Sequence, residues 1–92
     1  MTDIEVTKRT GSDGWTCRVR VIDDDGSTTE HDVTLSREDL ARLASGATDP
    51  TDLVRRSFAF LLAREPKESI LRSFELPEIG RYFPEYERTI AR

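Results

Sequence analysis

Ninety-two residues are enough for one hydrophobic core and too few for two, because a chain of this size buries only about 60–65% of its unfolded surface. Hydrophobic residues make up 36% and charged residues 35%, which excludes long disordered tails, and a net charge of -4 opposes non-specific attraction to phosphate backbones and anionic lipid. The lone cysteine excludes an internal disulfide, and no stretch resembles a signal peptide or approaches the roughly 20 apolar residues of a membrane span, so a cytoplasmic protein with no membrane partner is expected.

Residues 4–10 alternate apolar and polar side chains at their start and end at Gly11-Ser-Asp-Gly14, a turn composition, so a strand and a hairpin loop are expected. Trp15, Cys17, Val19 and Val21 then occupy every second position, with Thr16, Arg18 and Arg20 between them, the signature of a strand with one buried face. After the turn Asp23-Asp-Asp-Gly26, Thr29, His31, Val33 and Leu35 share one face of a third strand. Short loops between the three predict an antiparallel meander over residues 1–35.

Ser36 and Asp39 form a capping-box variant at the start of a short helix that Gly46 can close in a left-handed conformation. Asp49-Pro50-Thr51-Asp52 reads as an N-cap, a proline at the first helical position and an acid in the first turn. The helix that follows is expected to run to about Arg64, with Leu53, Val54, Phe58, Leu61 and Leu62 on its apolar stripe and Arg55, Arg56 and Ser57 outside it or at its edge. Pro66 ends or restarts it. Two or three short helices near 67–73, 77–83 and 84–91 complete the helical part, residues 36–92. The predicted fold is therefore a single α+β domain: a three-stranded antiparallel β-meander with one face covered by the main helix and the C-terminal helices. Trp15, Val19, Val21, Val33 and Leu35 are expected to form its core with Val54, Phe58 and Leu61.

The run from Ser57 to Tyr86, SFAFLLAREPKESILRSFELPEIGRYFPEY, resembles a family of small uncharacterised prokaryotic proteins. In that family a β-rich start carrying a tryptophan precedes a closing run similar to FLLxREPxxSILxxFxLxxIxxYFPEYE. The likeness is strong over about a third of the chain and loose over the hairpins. It implies a single domain and supplies no activity, cofactor or partner.

Little in the sequence points to chemistry. Cys17 and His31, the only residues of their kinds, fall on apolar strand faces and could pair as nucleophile and base, but no orienting group or oxyanion site accompanies them. Asp23, Asp24 and Asp25 invite a calcium reading, yet an EF-hand loop alternates its acids and ends in glutamate, so a solvated turn is expected. No catalytic residue, metal ligand or cofactor site is assigned.

Twelve arginines against two lysines suit bidentate recognition of carboxylate or phosphate, although their even spread is what GC-rich codon usage produces. Residues 1–35 carry eight acids and four bases, the remainder ten of each, so a basic face belongs to the helical part if anywhere. Residues 76–83 and 84–92 superficially resemble a helix-turn-helix, but Glu85 and Glu87 would meet phosphate, with Arg88 and Arg92 its only bases. Phe74, Arg81, Tyr82, Phe83 and Tyr86 have the composition of a protein-binding surface, although a domain this small has few large apolar residues and Phe74 and Phe83 could instead complete its core. The expected function is thus a non-catalytic protein-binding or adaptor module, with a protein partner or a second copy bound through these five residues or along the strand edge Ile4–Thr10. A nucleic-acid-associated regulator using the terminal helices is the alternative.

Overall fold

The computed structural model describes residues 2–90. Three long strands, β1 (Asp3–Thr10), β2 (Gly14–Ile22) and β3 (Thr28–Ser36), form the expected antiparallel meander, with Trp15 opposite Leu35 and Val19 opposite His31. Gly26, at φ 88°, makes the second turn, where its missing Cβ removes the steric cost. Helix α1 (Arg37–Leu43) follows β3 directly, capped as expected: Ser36 Oγ accepts from the Asp39 N–H and the Asp39 carboxylate accepts from the Ser36 N–H. Gly46, at φ 86°, turns the chain after it.

Helix α2 (Thr51–Leu62) is the main helix. Asp49 Oδ1 accepts from the Thr51 N–H at 2.8 Å, and Pro50 already has helical dihedrals, its carbonyl accepting from Val54 at 2.9 Å. Every residue expected in the core is buried. Ser57 is the exception to the expected stripe: it is fully buried, as is most of Phe60. Helix α2 has a second covered side, because α4 (Tyr86–Ile90) packs there and places Tyr86 against Phe60 at 5.3 Å between ring centroids.

The segment after Pro66 departs from the expected helices. A single 3-10 turn (Lys67–Ser69) leads to extended backbone and to a fourth strand, β4 (Ser73–Glu75), parallel to β3 with Phe74 opposite Val33. The sheet is therefore four-stranded and mixed, in the order β1-β2-β3-β4, rather than a three-stranded meander. A parallel neighbour requires a crossover, here supplied by α1 and α2. Beyond β4, a 3-10 turn (Leu76–Glu78) running directly into α3 (Ile79–Tyr82), and then α4, stand where helices near 77–83 and 84–91 are expected; residues 91 and 92 lie outside those described.

All helices lie on one face of the sheet. The other face is polar and carries cross-strand ion pairs, Arg18 with Glu30 at 2.9 Å and with Asp32 at 2.7 Å, in solvent where each contributes little to stability. One buried charge holds the acidic turn. Lys67 is 3% exposed, and its ammonium donates to Asp23 Oδ2 at 2.6 Å, Ser27 Oγ at 2.8 Å and Glu68 Oε2 at 2.7 Å. All three of its N–H groups are used. The turn expected to be merely solvated is instead clamped to the crossover through Asp23.

Candidate functional site

His31 explains why β4 lies where it does. Its Nδ1 lies 2.7 Å from the Leu71 carbonyl oxygen, which can only accept, so the proton is on Nδ1. The other nitrogen, Nε2, then accepts from Thr29 Oγ1 at 2.8 Å. Together with the Asp32 N–H donating to the Arg72 carbonyl at 2.7 Å, this holds residues 71–72 along β3 and directs the chain into β4. Both imidazole nitrogens are engaged, and neither faces Cys17, which lies opposite Val33 on the sheet. Burial pushes the Cys17 thiol up to about 11, which suppresses the thiolate that nucleophilic chemistry needs.

Burial also lowers the His31 pKa below its ordinary value of 6.5. An imidazole neutral in the fold but protonated in the unfolded chain makes unfolding take up a proton, so its share of stability is complete above pH 6.5 and declines as pH falls toward the folded value. Urea midpoints measured between about pH 7 and pH 5 should fall in the wild type and fall less in His31→Gln. Equal slopes would remove His31 as the cause.

The extended path after Pro66 opens a groove of about 410 Å³ between the end of α2, the strand lead-in and α3. Its floor is apolar: Leu61, Ile70, Phe74 and Ile79 line it and are buried in the main core. Its walls are Leu71, 51% exposed, and Tyr82, 66% exposed, the large hydrophobic side chains left in solvent among the described residues. Alternation along the extended segment turns Ile70 inward and Leu71 outward. Phe83 closes one end and meets Phe60 edge-on at 5.8 Å. The charged residues lining the groove, Glu65 and Glu78, are both carboxylates. Glu78 accepts from the Glu75 N–H at 2.9 Å, whereas Glu65, half-buried, makes no ion pair among the described residues.

Of the five residues expected at an interaction surface, Phe74, Tyr82 and Phe83 meet in this groove. Arg81 is exposed beside it. Tyr86 is fully buried and is core: its hydroxyl donates to Ser57 Oγ at 2.7 Å, Ser57 Oγ in turn donates to the Leu53 carbonyl, and burial pushes the phenol up to about 12. Leu71 completes the candidate site without having been singled out in the sequence, because a helix over 67–73 gave no reason to expose it.

The terminal helices are held to the body by carboxylates. Glu87 pairs with Arg42 at 2.7 Å and Glu85 with Arg64 at 3.2 Å, and Arg64 also stacks over Phe60 at 3.5 Å from its centroid. Arg92, invoked for a helix-turn-helix, lies outside the described residues. No helix among the described residues is long and apolar enough to cross a membrane. No family model, curated protein or solved structure matches the chain.

Proposed function

We propose that this chain is a non-catalytic cytoplasmic adaptor that binds a peptide segment of a partner protein, seating an apolar side chain in the groove with a basic residue beside Glu65. The observation that carries this reading is an apolar floor flanked by two exposed hydrophobic walls and edged by carboxylates, one of them unpaired among the described residues. A volume of about 410 Å³ lies within the roughly 300–1,000 Å³ of ligand pockets. Charge complementarity selects a basic segment over an acidic one. Every lining residue falls within 57–86, the run that resembles the small prokaryotic proteins, so a shared groove is part of the proposal.

A short synthetic peptide with Phe-Leu flanked by arginines should shift the amide resonances of residues 65, 71, 79 and 82. It should bind about tenfold more tightly than a glutamate-flanked control. Leu71→Asp, at an exposed wall, should abolish the shifts without altering the melting midpoint. Equal affinity for both peptides, or shifts confined to another face, would defeat the reading. Partners recovered from native cells should survive nuclease; their loss on nuclease would favour the nucleic-acid-associated alternative.

A further inference from the structure

Strand β1 is one edge of the sheet. The Gly11 N–H donates to the Gly14 carbonyl at 2.8 Å, making that pair a hydrogen-bonded one. Alternation in an antiparallel ladder then turns the N–H and C=O groups of Ile4, Val6, Lys8 and Thr10 away from β2. The Ile4 carbonyl does face outward, since Arg55 Nε reaches it at 3.4 Å. Ile4 and Val6 are only half-buried on the helix-covered face although they pack against the core. Apart from that single long Arg55 contact the edge is unpaired among the described residues, and without proline it is a template for another strand.

The charges along β1 are self-complementary. Acids lie toward its start, Asp3 and Glu5, and bases toward its end, Lys8 and Arg9. Antiparallel pairing with an identical strand brings start to end, and only registers in which outward-facing residues meet form hydrogen bonds. We infer that the protein forms a two-fold dimer through β1, with Val6 opposite Val6 of the second copy and Asp3 opposite its Arg9, joining two sheets into one. Ile4 then faces Lys8, whose ammonium is already held by Asp49 at 2.6 Å, leaving its methylene stem to cover the isoleucine. The register one step away pairs Glu5 with Arg9 instead, but Glu5 already lies 3.8 Å from Arg20. Asp3 and Arg9 make no ion pair among the described residues. The interface leaves the groove free and does not depend on the peptide-binding reading.

Sedimentation of the full chain should show a dimer with a dissociation constant on the order of 10–100 μM, as expected of a small strand-edge interface. Arg9→Asp should weaken it about tenfold through two like-charge oppositions, and adding Asp3→Arg should restore it to within about threefold. Val6→Pro removes an outward N–H that β2 does not use and is tolerated at an edge, so it should give a folded monomer at every concentration. A wild type still monomeric near about 1 mM, a folded Val6→Pro dimer, or charge reversal without restoration would overturn the inference. Should Val6→Pro fail to fold, the charge-reversal pair decides.

Discussion

Tyr86→Ala should remove a large share of the protein's stability and lower its urea midpoint sharply. The side chain is fully buried, contacts Phe60 edge-on and ends in a hydrogen bond to Ser57. Truncating a buried aromatic costs about 3–5 kcal/mol, against a total stability of roughly 5–15 kcal/mol for a folded domain. Tyr86→Phe isolates the hydroxyl. Ser57 Oγ keeps the Leu53 carbonyl as acceptor, so the change should cost only about 1 kcal/mol. Tyr82→Ala, at the exposed wall of the groove, should stay within about 0.5 kcal/mol of wild type. Urea unfolding of the three variants would separate the aromatic that builds the core from the one available to a partner. Equal losses for Tyr82 and Tyr86 would contradict the packing described above.

Gly14→Ala should be strongly destabilising. A Cβ there would sit 2.2 Å from the Leu35 carbonyl oxygen and 2.7 Å from the Ser36 Cα, and both are backbone atoms that no rotamer change can move. Nearby, the Arg37 N–H donates to the Asp13 carbonyl at 3.1 Å, tying the first turn to the start of α1. Separating the strands would disturb both that bond and the packing of Trp15, which lies opposite Leu35. Overpacking of this kind costs about 1–3 kcal/mol or more, so the melting midpoint should fall by roughly 10 °C. Gly11→Ala is the control. Its nearest contact would be the Gly14 carbonyl oxygen at 3.7 Å, ordinary van der Waals distance, and it should melt close to wild type. Matching midpoints for the two variants would mean that β2 and β3 are not so close at Gly14.

The candidate site was only partly legible in the sequence. Tyr82 and the half-buried Phe83 stood out by composition and do line the groove, whereas Phe74 is part of its buried floor and Tyr86 lies in the core outside it. What separates them is the path of the backbone. On a helix over 67–73, Ile70 and Leu71 would sit on adjoining faces; on extended backbone they point to opposite sides, one to the core and one to solvent. Ser73-Phe-Glu75 is too short to show a strand period, so nothing local distinguishes it from the end of a helix. The residues that decide the matter, His31 and Thr29, lie some forty positions earlier.

Local pattern by itself determined the three long strands, the capping of α1 and the start of α2, because alternation, a hydroxyl with its capping acid, and an Asp-Pro pair act within a few residues of one another. It also determined which face of the sheet meets the helices. The tertiary structure decided the fourth strand, the burial of Ser57 and Tyr86, the clamp of Lys67 on Asp23 and the groove itself. Each of these depends on a contact between residues distant in the chain, and such contacts leave no period in sequence: a buried ammonium or phenol is favourable only once its partner has been brought within hydrogen-bonding distance by the rest of the fold.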